Sequence, residues 1–290
     1  MIGDREFWQN SGLIDNKDKG PKKAYVVAVA NQKGGVGKTT TAVNLSACLA
    51  QKGKKVLLFD LDPQSNASSS LGSSSSENNL YNLLISDEPP SHKFVQITDI
   101  KGLMVFPSTS DLAAAEVELA DVPERIGRLE RILSFFHNDF DLIVVDCPPS
   151  LGFLTLNAFN ASDELLIPMQ AEYFALEGLA RLMNTIERIS LSNDFSKNPK
   201  IGGIILTMYD TRTNLSKQVS DEVKNHVSNL LYEVKIPRNI KLAEAPSHGL
   251  PVISYDPYSQ GAMAYMQLAE EFLIRLNEKS NSNDKKRGDI

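Results

Sequence analysis

Cysteine is scarce in this chain, and its scarcity excludes two classes of protein. Cys48 and Cys147 are the two cysteines among 290 residues. They are too few for a disulfide-built scaffold, and their spacing fits neither a zinc nor an iron–sulfur site. Two buried thiols, one on a predicted helix and one at a predicted strand end, are typical of a protein from a reducing compartment.

Long hydrophobic runs are also missing. The longest uninterrupted apolar stretch, 24–30, has seven residues, whereas a membrane-spanning helix needs about 20. The first residues, M-I-G-D-R-E-F-W, include acidic side chains and are not followed by the apolar core of a secretory signal. We therefore expect a cytoplasmic protein that makes no membrane contact.

A net positive charge is absent as well, because 36 acidic residues outnumber 30 basic ones and the formal charge is −6. Any contact with nucleic acid therefore needs a local basic patch. One candidate segment runs from Lys197 to Lys241, where there are eight Lys and Arg residues and four Asp and Glu residues. The remaining composition, 42% hydrophobic and 23% charged, is that of an ordinary globular domain.

The chain divides by composition into a flexible polar arm at 1–23, a folded region at 24–278 and a polar tail at 279–290 that we expect to be disordered. In the folded region, continuously apolar runs alternate with helical patterns, as in parallel strands covered on both faces. This alternation predicts a single doubly wound, mostly parallel α/β sheet with helices on both faces. The predicted strands are Tyr25–Ala30, Val56–Phe59, Leu103–Phe106, Leu142–Val145, Glu164–Ile167, Ile201–Leu206 and Tyr232–Ile236. The predicted helices are Lys38–Lys52, Asn79–Ile85, Leu112–Leu119, Pro123–His137, Leu151–Ala161, Leu176–Leu191, Leu215–Leu231 and Gln260–Asn277.

The most informative motif is the glycine-rich run Q-K-G-G-V-G-K-T-T at 32–40, between a predicted strand and a predicted helix. This is the context of a phosphate-binding loop, in which backbone N–H groups and a helix N-terminus converge on an anion. Lys38 is expected to reach the β- and γ-phosphates, and the Thr39 hydroxyl to coordinate Mg²⁺. The other residues predicted to surround the nucleotide are Lys33, Gly34, Gly35, Val36, Gly37 and Thr40. A glycine-rich turn with incidental lysines is the plainer alternative.

The start of this loop departs from the usual G-x-x-x-x-G-K-[ST] pattern, because Gln32 stands where the first glycine is expected. A second lysine, Lys33, follows it. One lysine is enough to dock one nucleotide, so Lys33 requires a separate explanation.

Two other predicted strands end in aspartates. The run L-L-F-D-L-D-P-Q contains Asp60 and Asp62, and L-I-V-V-D-C-P-P-S contains Asp146. A carboxylate at the tip of a buried strand is costly unless it meets a cation, which in a nucleotide-binding fold is Mg²⁺ with its waters. We predict that Asp146 binds Mg²⁺ through water, that Asp60 supports the metal site and that Asp62 orients the attacking water. Helix capping by these carboxylates is the simpler alternative.

Together, these three segments resemble the ParA/MinD family of ATPases with a deviant phosphate loop. The runs Q-A-E-Y-F-A-L-E-G at 170–178, L-T-M-Y-D-T-R-T-N at 206–214 and I-P-R-N-I-K-L-A-E-A-P-S-H-G at 236–249 resemble its chromosomal ParA (Soj) branch. The resemblance extends from about Tyr25 to about Leu276. It implies ATP and Mg²⁺ as ligands and a weak ATP hydrolase that acts as a molecular switch.

The resemblance also implies a role for Lys33. In ParA-like ATPases the corresponding lysine reaches across a dimer interface to the partner's nucleotide, so that two monomers enclose two ATP molecules. A flexible ammonium group can stabilise charge that develops on the transferred phosphoryl oxygens. We therefore expect an ATP-dependent homodimer with Lys33, Lys38 and Asp62 as catalytic residues, and with Pro237 and Asn239 lining the adenine pocket.

Nonspecific binding to double-stranded DNA is a further implication of the resemblance. Arg212, Arg238 and Lys241 lie in segments that the family uses for this contact. Such binding depends on salt and not on base sequence, and a solvated basic face is the plainer interpretation of these cations. The family also implies a ParB-type centromere-binding partner that stimulates hydrolysis, and a nucleoid-associated protein of either a chromosomal or a plasmid system.

A MinD-like membrane-associated regulator on the same fold is the main alternative. It requires an amphipathic helix at the C-terminal end, whereas here the last predicted helix precedes a polar tail in which Ile290 is the one large apolar residue. An electron-transfer iron protein, which shares the loop, needs two cysteines per subunit to bridge a cluster. Cys48 and Cys147 are not placed for that role.

Overall fold

The computed structural model describes residues 23–73, 80–86, 88–191 and 195–288, with side chains described as far as Asn281. The predicted arm at 1–23 lies outside these residues except for its last one. Within them the chain forms a seven-stranded sheet of order β3-β4-β2-β5-β1-β6-β7. Its strands are β1 (Tyr25–Val29), β2 (Val56–Asp60), β3 (Gln96–Ile97), β4 (Leu103–Phe106), β5 (Leu142–Asp146), β6 (Glu164–Gln170) and β7 (Ile201–Thr207).

All neighbouring strands pair in parallel except β3, which runs antiparallel to β4 at one edge. Helices lie between the strands along the chain, and this confirms the predicted doubly wound, mostly parallel sheet. The described helices are α1 (Lys38–Gln51), α2 (Asn66–Ser69), α3 (Leu80–Ile85), α4 (Leu112–Glu118), α5 (Arg128–Phe136), α6 (Phe153–Ala161), α7 (Ala175–Ser190), α8 (Asn214–Val227), α9 (Ile240–Glu244), α10 (Val252–Tyr255) and α11 (Gln260–Gly288).

The sheet separates two hydrophobic cores. Because successive side chains of a strand point to opposite faces, Val26 and Ala28 of β1 belong to one core, whereas Val27 and Val29 belong to the other. Helices α3 to α8 cover the first face, and α1, α10 and α11 cover the second. Both faces of the central strands are therefore buried, as their continuously apolar sequences predict.

Several boundaries differ from those predicted. Helix α5 begins at Arg128 instead of Pro123, since Glu124 has a left-handed backbone with φ +53° that interrupts the helix. The segment predicted as the strand Tyr232–Ile236 is not a strand, and isolated bridges form at the residues that flank it, Leu231 with Ile204 and Pro237 with Tyr209. Its backbone still pairs with β7, because Tyr232 N–H donates to Ile204 O at 2.9 Å and Ile236 N–H donates to Leu206 O at 2.8 Å.

The last helix, α11, is longer than predicted and continues past Asn277 to Gly288. Residues 279–288, expected to be disordered, are therefore helical. Apolar side chains of α11 such as Tyr265, Leu268 and Phe272 are buried in the second core, as their spacing predicts, whereas Met263 and Ile274 are exposed. A bilayer-spanning helix is not found among the described residues.

The strand register determines where the site lies. Val29 at the end of β1 pairs with Asp146 at the end of β5, and Asp146 pairs in turn with Asp60 at the end of β2. Three strands thus end at one level, and the glycine-rich loop begins immediately after β1. Ligands of open α/β sheets bind at this edge, outside the carboxyl ends of the strands.

Candidate active site

The glycine-rich loop connects β1 to α1 and leaves the N-terminus of α1 open. Gly35 and Gly37 adopt left-handed conformations, with φ +73° and +86°, that side chains with a Cβ rarely tolerate. No side chain of the described residues caps the helix that starts at Lys38. Its first N–H groups are therefore available to an anion, with the helix dipole directed toward it.

The ends of two neighbouring strands hold the loop in place. The Thr207 hydroxyl of β7 donates to Val36 O at 2.7 Å, and Gln170 Nε2 of β6 donates to Gly35 O at 3.0 Å. Just before the loop, Asn31 Nδ2 donates to Pro168 O at 2.7 Å. Side chains from the strand ends thus satisfy two carbonyls of the loop, and Asn31 Oδ1 accepts from Lys33 N at 3.0 Å.

The two lysines of the loop lie in different environments. Lys38 is buried, with 7% of its surface exposed, and its Nζ donates to Lys33 O at 3.1 Å. Burial lowers the pKa of the Lys38 ammonium, and the nearby Asp146 carboxylate opposes that shift. The side chain of Lys33 is exposed, and its Nζ lies 2.6 Å from Glu172 Oε2. Lys38 thus faces the strand ends of its own chain, whereas Lys33 lies at the surface.

Asp146 is the least satisfied polar group of the site. It is fully buried, and neither carboxylate oxygen has a hydrogen-bond partner by geometry among the described residues. Burial and, after it, the Asp60 carboxylate raise the pKa of Asp146 well above its ordinary value, while the nearby Thr39 hydroxyl opposes them. A buried, unpaired carboxylate beside a threonine hydroxyl and the Lys38 ammonium is suited to Mg²⁺ that is also bound by a nucleotide phosphate. The Mg²⁺ ion would supply positive charge close to the buried carboxylate.

A metal ion at this site would take some of its ligands from water and from the phosphates of the nucleotide. Among the described residues, no group of three or more His, Cys, Asp or Glu side chains is placed to hold a metal ion by itself. Mg²⁺ commonly binds proteins in this way, through one or two side chains, several waters and substrate phosphates.

Asp60 and Asp62 are held by hydrogen bonds that the sequence did not suggest. Asp60 Oδ2 accepts from Ser68 N at 2.8 Å and from the Ser68 hydroxyl at 2.6 Å, while its Oδ1 accepts from Asp62 N at 3.2 Å. Burial raises the pKa of Asp60 to about 6, against the effect of the bonds from Ser68. Asp62 Oδ1 accepts from Gln64 N at 3.0 Å, and Asp62 O accepts from the Ser108 hydroxyl at 2.6 Å. Asp60 therefore supports the site from inside the protein, and Asp146 is the one of these three carboxylates without a hydrogen-bond partner by geometry in the described part of the chain.

A pocket of about 390 Å³ opens beside the loop. Its lining includes Gly37, Thr40, Thr207, Pro237, Arg238, Asn239 and Tyr265. The structure thus brings Pro237 and Asn239, both predicted to contact adenine, next to the loop. Asn239 Oδ1 also accepts from Lys241 N at 2.9 Å and so caps α9.

The three cations predicted to contact DNA differ in their surroundings. Arg212 is exposed and makes two parallel bonds to the Asp210 carboxylate, from Nε at 2.9 Å and from Nη2 at 2.8 Å. Lys241 Nζ donates to Glu244 Oε2 at 2.9 Å. Arg238 is exposed and lines the pocket. Arg212 and Lys241 are therefore both neutralised within the chain.

The fold and this site define a class of protein. The class is that of the P-loop nucleoside triphosphatases. Its features here are a parallel sheet with a glycine-rich loop after the first strand, a lysine and a threonine at the start of the next helix, and an aspartate at the tip of the adjacent strand.

Comparison with known proteins identifies the family within this class. Residues 24–202 match the family described as "AAA domain". The sporulation initiation inhibitor protein Soj of Bacillus subtilis is 49% identical over 248 residues, which cover 85% of this chain and 97% of that protein. The chromosome partitioning protein ParA of Myxococcus xanthus is 44% identical over 257 residues, which cover 88% of this chain and 90% of that protein.

A solved structure supports the same fold. The cobyrinic acid a,c-diamide synthase of Mycobacterium smegmatis, with a bound ATP analogue and magnesium, matches with a TM-score of 0.72 and 34% identity, covering 88% of this chain and 96% of that chain. From these relatives, the chain belongs to the ParA/Soj family of partitioning ATPases and is an ATP hydrolase. The resemblance seen in the sequence is confirmed.

Proposed function

We propose that this ATPase is a DNA-partitioning switch. ATP with Mg²⁺ closes two chains into a homodimer, the dimer holds double-stranded DNA without sequence preference, and a ParB-type partner stimulates hydrolysis and so releases it. The observation that carries this proposal is the difference in burial between the two lysines of the loop. Lys38 is buried beside Asp146, whereas Lys33 is exposed, paired with Glu172 and available to another chain.

The residues of one chain account for nucleotide binding. Lys38 and the N–H groups at the start of α1 bind the phosphates, and Thr39 with Asp146 hold Mg²⁺, Asp146 through water. The metal ion would neutralise charge on the β- and γ-phosphates and orient them. The pocket lined by Pro237 and Asn239 takes the adenine, because it opens directly beside Gly37 and Thr40.

Asp62 is the residue proposed to orient the attacking water. It lies two residues beyond the end of β2 with 7% of its surface exposed, and Gln64 N–H holds one of its carboxylate oxygens. A water positioned by such a fixed carboxylate is in place for in-line attack on the γ-phosphate. Lys33 from the second chain then stabilises charge that develops on the transferred group, so that hydrolysis depends on dimerisation.

DNA contact is assigned to Arg212, Arg238 and Lys241. The two exposed arginines lie in the segment from Lys197 to Lys241, where positive charge exceeds negative charge in an otherwise acidic chain. Contacts of this kind bind phosphates, and the affinity therefore falls steeply with salt. The similarity to the chromosome partitioning protein ParA of Myxococcus xanthus supports a partitioning role.

The decisive experiment measures dimerisation, DNA binding and hydrolysis on the same preparations. Sedimentation velocity with ATP, ADP and no nucleotide should show a dimer with ATP alone, and a filter-binding assay should show plasmid DNA retained by that dimer. In Lys33→Ala, ATP binding should persist while hydrolysis is lost. Lys52→Ala is the matched control, because Lys52 is a surface lysine directly after α1 and is paired with Glu270. A Lys33→Ala protein that hydrolyses ATP like the wild type would contradict the proposal.

A further inference from the structure

Two buried serines connect the proposed catalytic loop to the rest of the protein. Ser68, on α2, is 2% exposed, and Ser108, just after β4, is fully buried. Ser108 N–H donates to the Ser68 hydroxyl at 3.1 Å, and that hydroxyl donates to Asp60 Oδ2 at 2.6 Å. The Ser108 hydroxyl donates to Asp62 O at 2.6 Å. Both serines thus touch the segment that carries Asp62, but neither belongs to the glycine-rich loop.

These bonds close a ring around the loop after β2. Starting from Asp60, the ring passes through the Ser68 hydroxyl, the Ser108 main chain and the Ser108 hydroxyl to the Asp62 carbonyl, and it returns through Asp62 N–H to Asp60 Oδ1. Every member of the ring is at least nine-tenths buried. A buried hydrogen bond in a fully satisfied network restricts the groups that it joins to one geometry.

The loop inside the ring is under backbone strain. Ser65, between Asp62 and Ser68, has φ +54° and ψ +28°, a left-handed conformation that is uncommon for a residue with a side chain. Such a conformation persists where surrounding contacts over-determine it, and it is found at functional sites. Without the serine hydroxyls, the loop could relax and move the Asp62 carboxylate away from the water that it orients.

We propose that Ser68 and Ser108 are positioning residues for ATP hydrolysis. They hold the main chain on either side of Asp62 so that its carboxylate keeps the geometry needed for in-line attack. This inference rests on the proposed role of Asp62 in orienting that water. Neither serine is proposed to touch the nucleotide, so their loss should slow the chemical step and leave ATP binding intact. A displacement of about 1 Å at a reacting centre can lower a rate about a hundredfold.

The test compares kcat and KM for Mg·ATP in full-length variants. Ser68→Ala and Ser108→Ala should each lower kcat at least tenfold, while KM and the dissociation constant for ATP change less than threefold. Ser70→Ala is the matched control, because Ser70 is a buried serine of the same segment whose hydroxyl bonds Asn66 O and does not join the ring. It should keep kcat within twofold of wild type. Ser68→Ala and Ser108→Ala proteins with wild-type kcat, or a Ser70→Ala protein with the same loss, would overturn the proposal.

A second variant separates hydrogen bonding from packing. Ser108→Cys keeps a group of similar size that donates a hydrogen bond weakly, so it should fold with the wild-type melting temperature and still lose kcat. A Ser108→Cys protein that folds and hydrolyses ATP at the wild-type rate would refute the positioning role, even if Ser108→Ala fails to fold. The proposed DNA switch is tested independently of the two serines, because dimerisation and DNA binding are measured on the wild-type protein. Wild-type hydrolysis by Asp62→Asn would show that Asp62 itself was misassigned.

Discussion

Lys33 Nζ and Glu172 Oε2 lie 2.6 Å apart, so the lysine proposed to act on a second chain is paired within its own. Both side chains are about half exposed, at 53% and 49%. An ion pair this exposed contributes about 0–1 kcal/mol. The pair can therefore restrain Lys33 in the monomer, yet it is weak enough to break when a nucleotide phosphate from a second chain is offered instead.

Replacement of Glu172 should promote dimerisation. In Glu172→Gln, Lys33 no longer has its partner in either chain, and the protein concentration at half-dimerisation with ATP should fall by up to about thirtyfold, the equivalent of 1 kcal/mol for each of the two chains. Sedimentation velocity over a concentration series measures this midpoint. Glu177→Gln is the control, since Glu177 pairs with Arg181 on α7 in an ion pair that is somewhat more exposed than that of Lys33. Equal dimerisation midpoints in the two variants would contradict the restraint of Lys33 by Glu172.

Neutralising Asp146 should stabilise the protein in the absence of ligand. Its carboxylate is buried without a hydrogen-bond partner by geometry among the described residues, so Asp146→Asn should raise the free energy of unfolding by about 1–3 kcal/mol at pH 7.5. The same variant should lose the contribution of Mg²⁺ to ATP affinity. Asp62→Asn should bind Mg·ATP normally and lose hydrolysis. Thermal melts with and without Mg·ATP test stability and binding in both variants, and an ATPase assay tests the loss of hydrolysis in Asp62→Asn. An Asp146→Asn protein that Mg·ATP stabilises as much as wild type would contradict the metal site.

Removal of the Asp210 charge should strengthen DNA binding. The Arg212 guanidinium holds the pKa of Asp210 at about 2, so the carboxylate is ionised and competes with DNA phosphate for the same guanidinium. Asp210→Asn should raise DNA affinity about three- to tenfold at 100 mM salt, whereas Arg212→Ala should lower it. Asp221→Asn makes the same charge change at an exposed site on α8. An equal gain in Asp210→Asn and Asp221→Asn would mean that net charge alone is responsible.

His137 should make the protein less stable in mild acid. Its Nδ1 is buried with no partner among the described residues, and burial, followed by Lys23 and Lys197, lowers the pKa of His137 in the folded protein. Protonation therefore favours the unfolded chain, and the stability present above about pH 6.5 is lost as the pH falls below it. Melting temperatures of the ligand-free protein from pH 7.5 to 5.5 should fall less in His137→Gln. His226→Gln, at an exposed histidine of α8, should follow the wild type.

The sheet and the loop could be predicted because their signals are local. Continuous apolar runs such as Leu142–Val145 indicate buried parallel strands wherever they occur, and a glycine-rich run between a strand and a helix indicates a phosphate loop. The same logic placed Asp60 and Asp146 at strand tips. The register between β2 and β5 then put the two aspartates directly opposite each other.

The ring around Asp62 could not be predicted, because its contacts join residues far apart in sequence. Ser68 lies in a serine-rich stretch that by composition suggests a flexible loop, and it meets Ser108 across 40 positions. The two-residue strand β3 is too short for any periodic signal. The bridges from Leu231 to Ile204 and from Pro237 to Tyr209 depend on the tertiary fold and leave no local pattern.

The two edges of the sheet limit how copies of this protein can associate. One edge is β3, two residues long and antiparallel to its neighbour. At the other edge, Ile204 and Leu206 of β7 already exchange backbone bonds with the segment from Leu230 to Ile236. Continuous strand-to-strand joining, which is how exposed edges seed fibres, therefore has no long free run at either of these places. Even at high local concentration, such molecules should therefore remain discrete and should not grow into fibres by edge-to-edge pairing of their sheets.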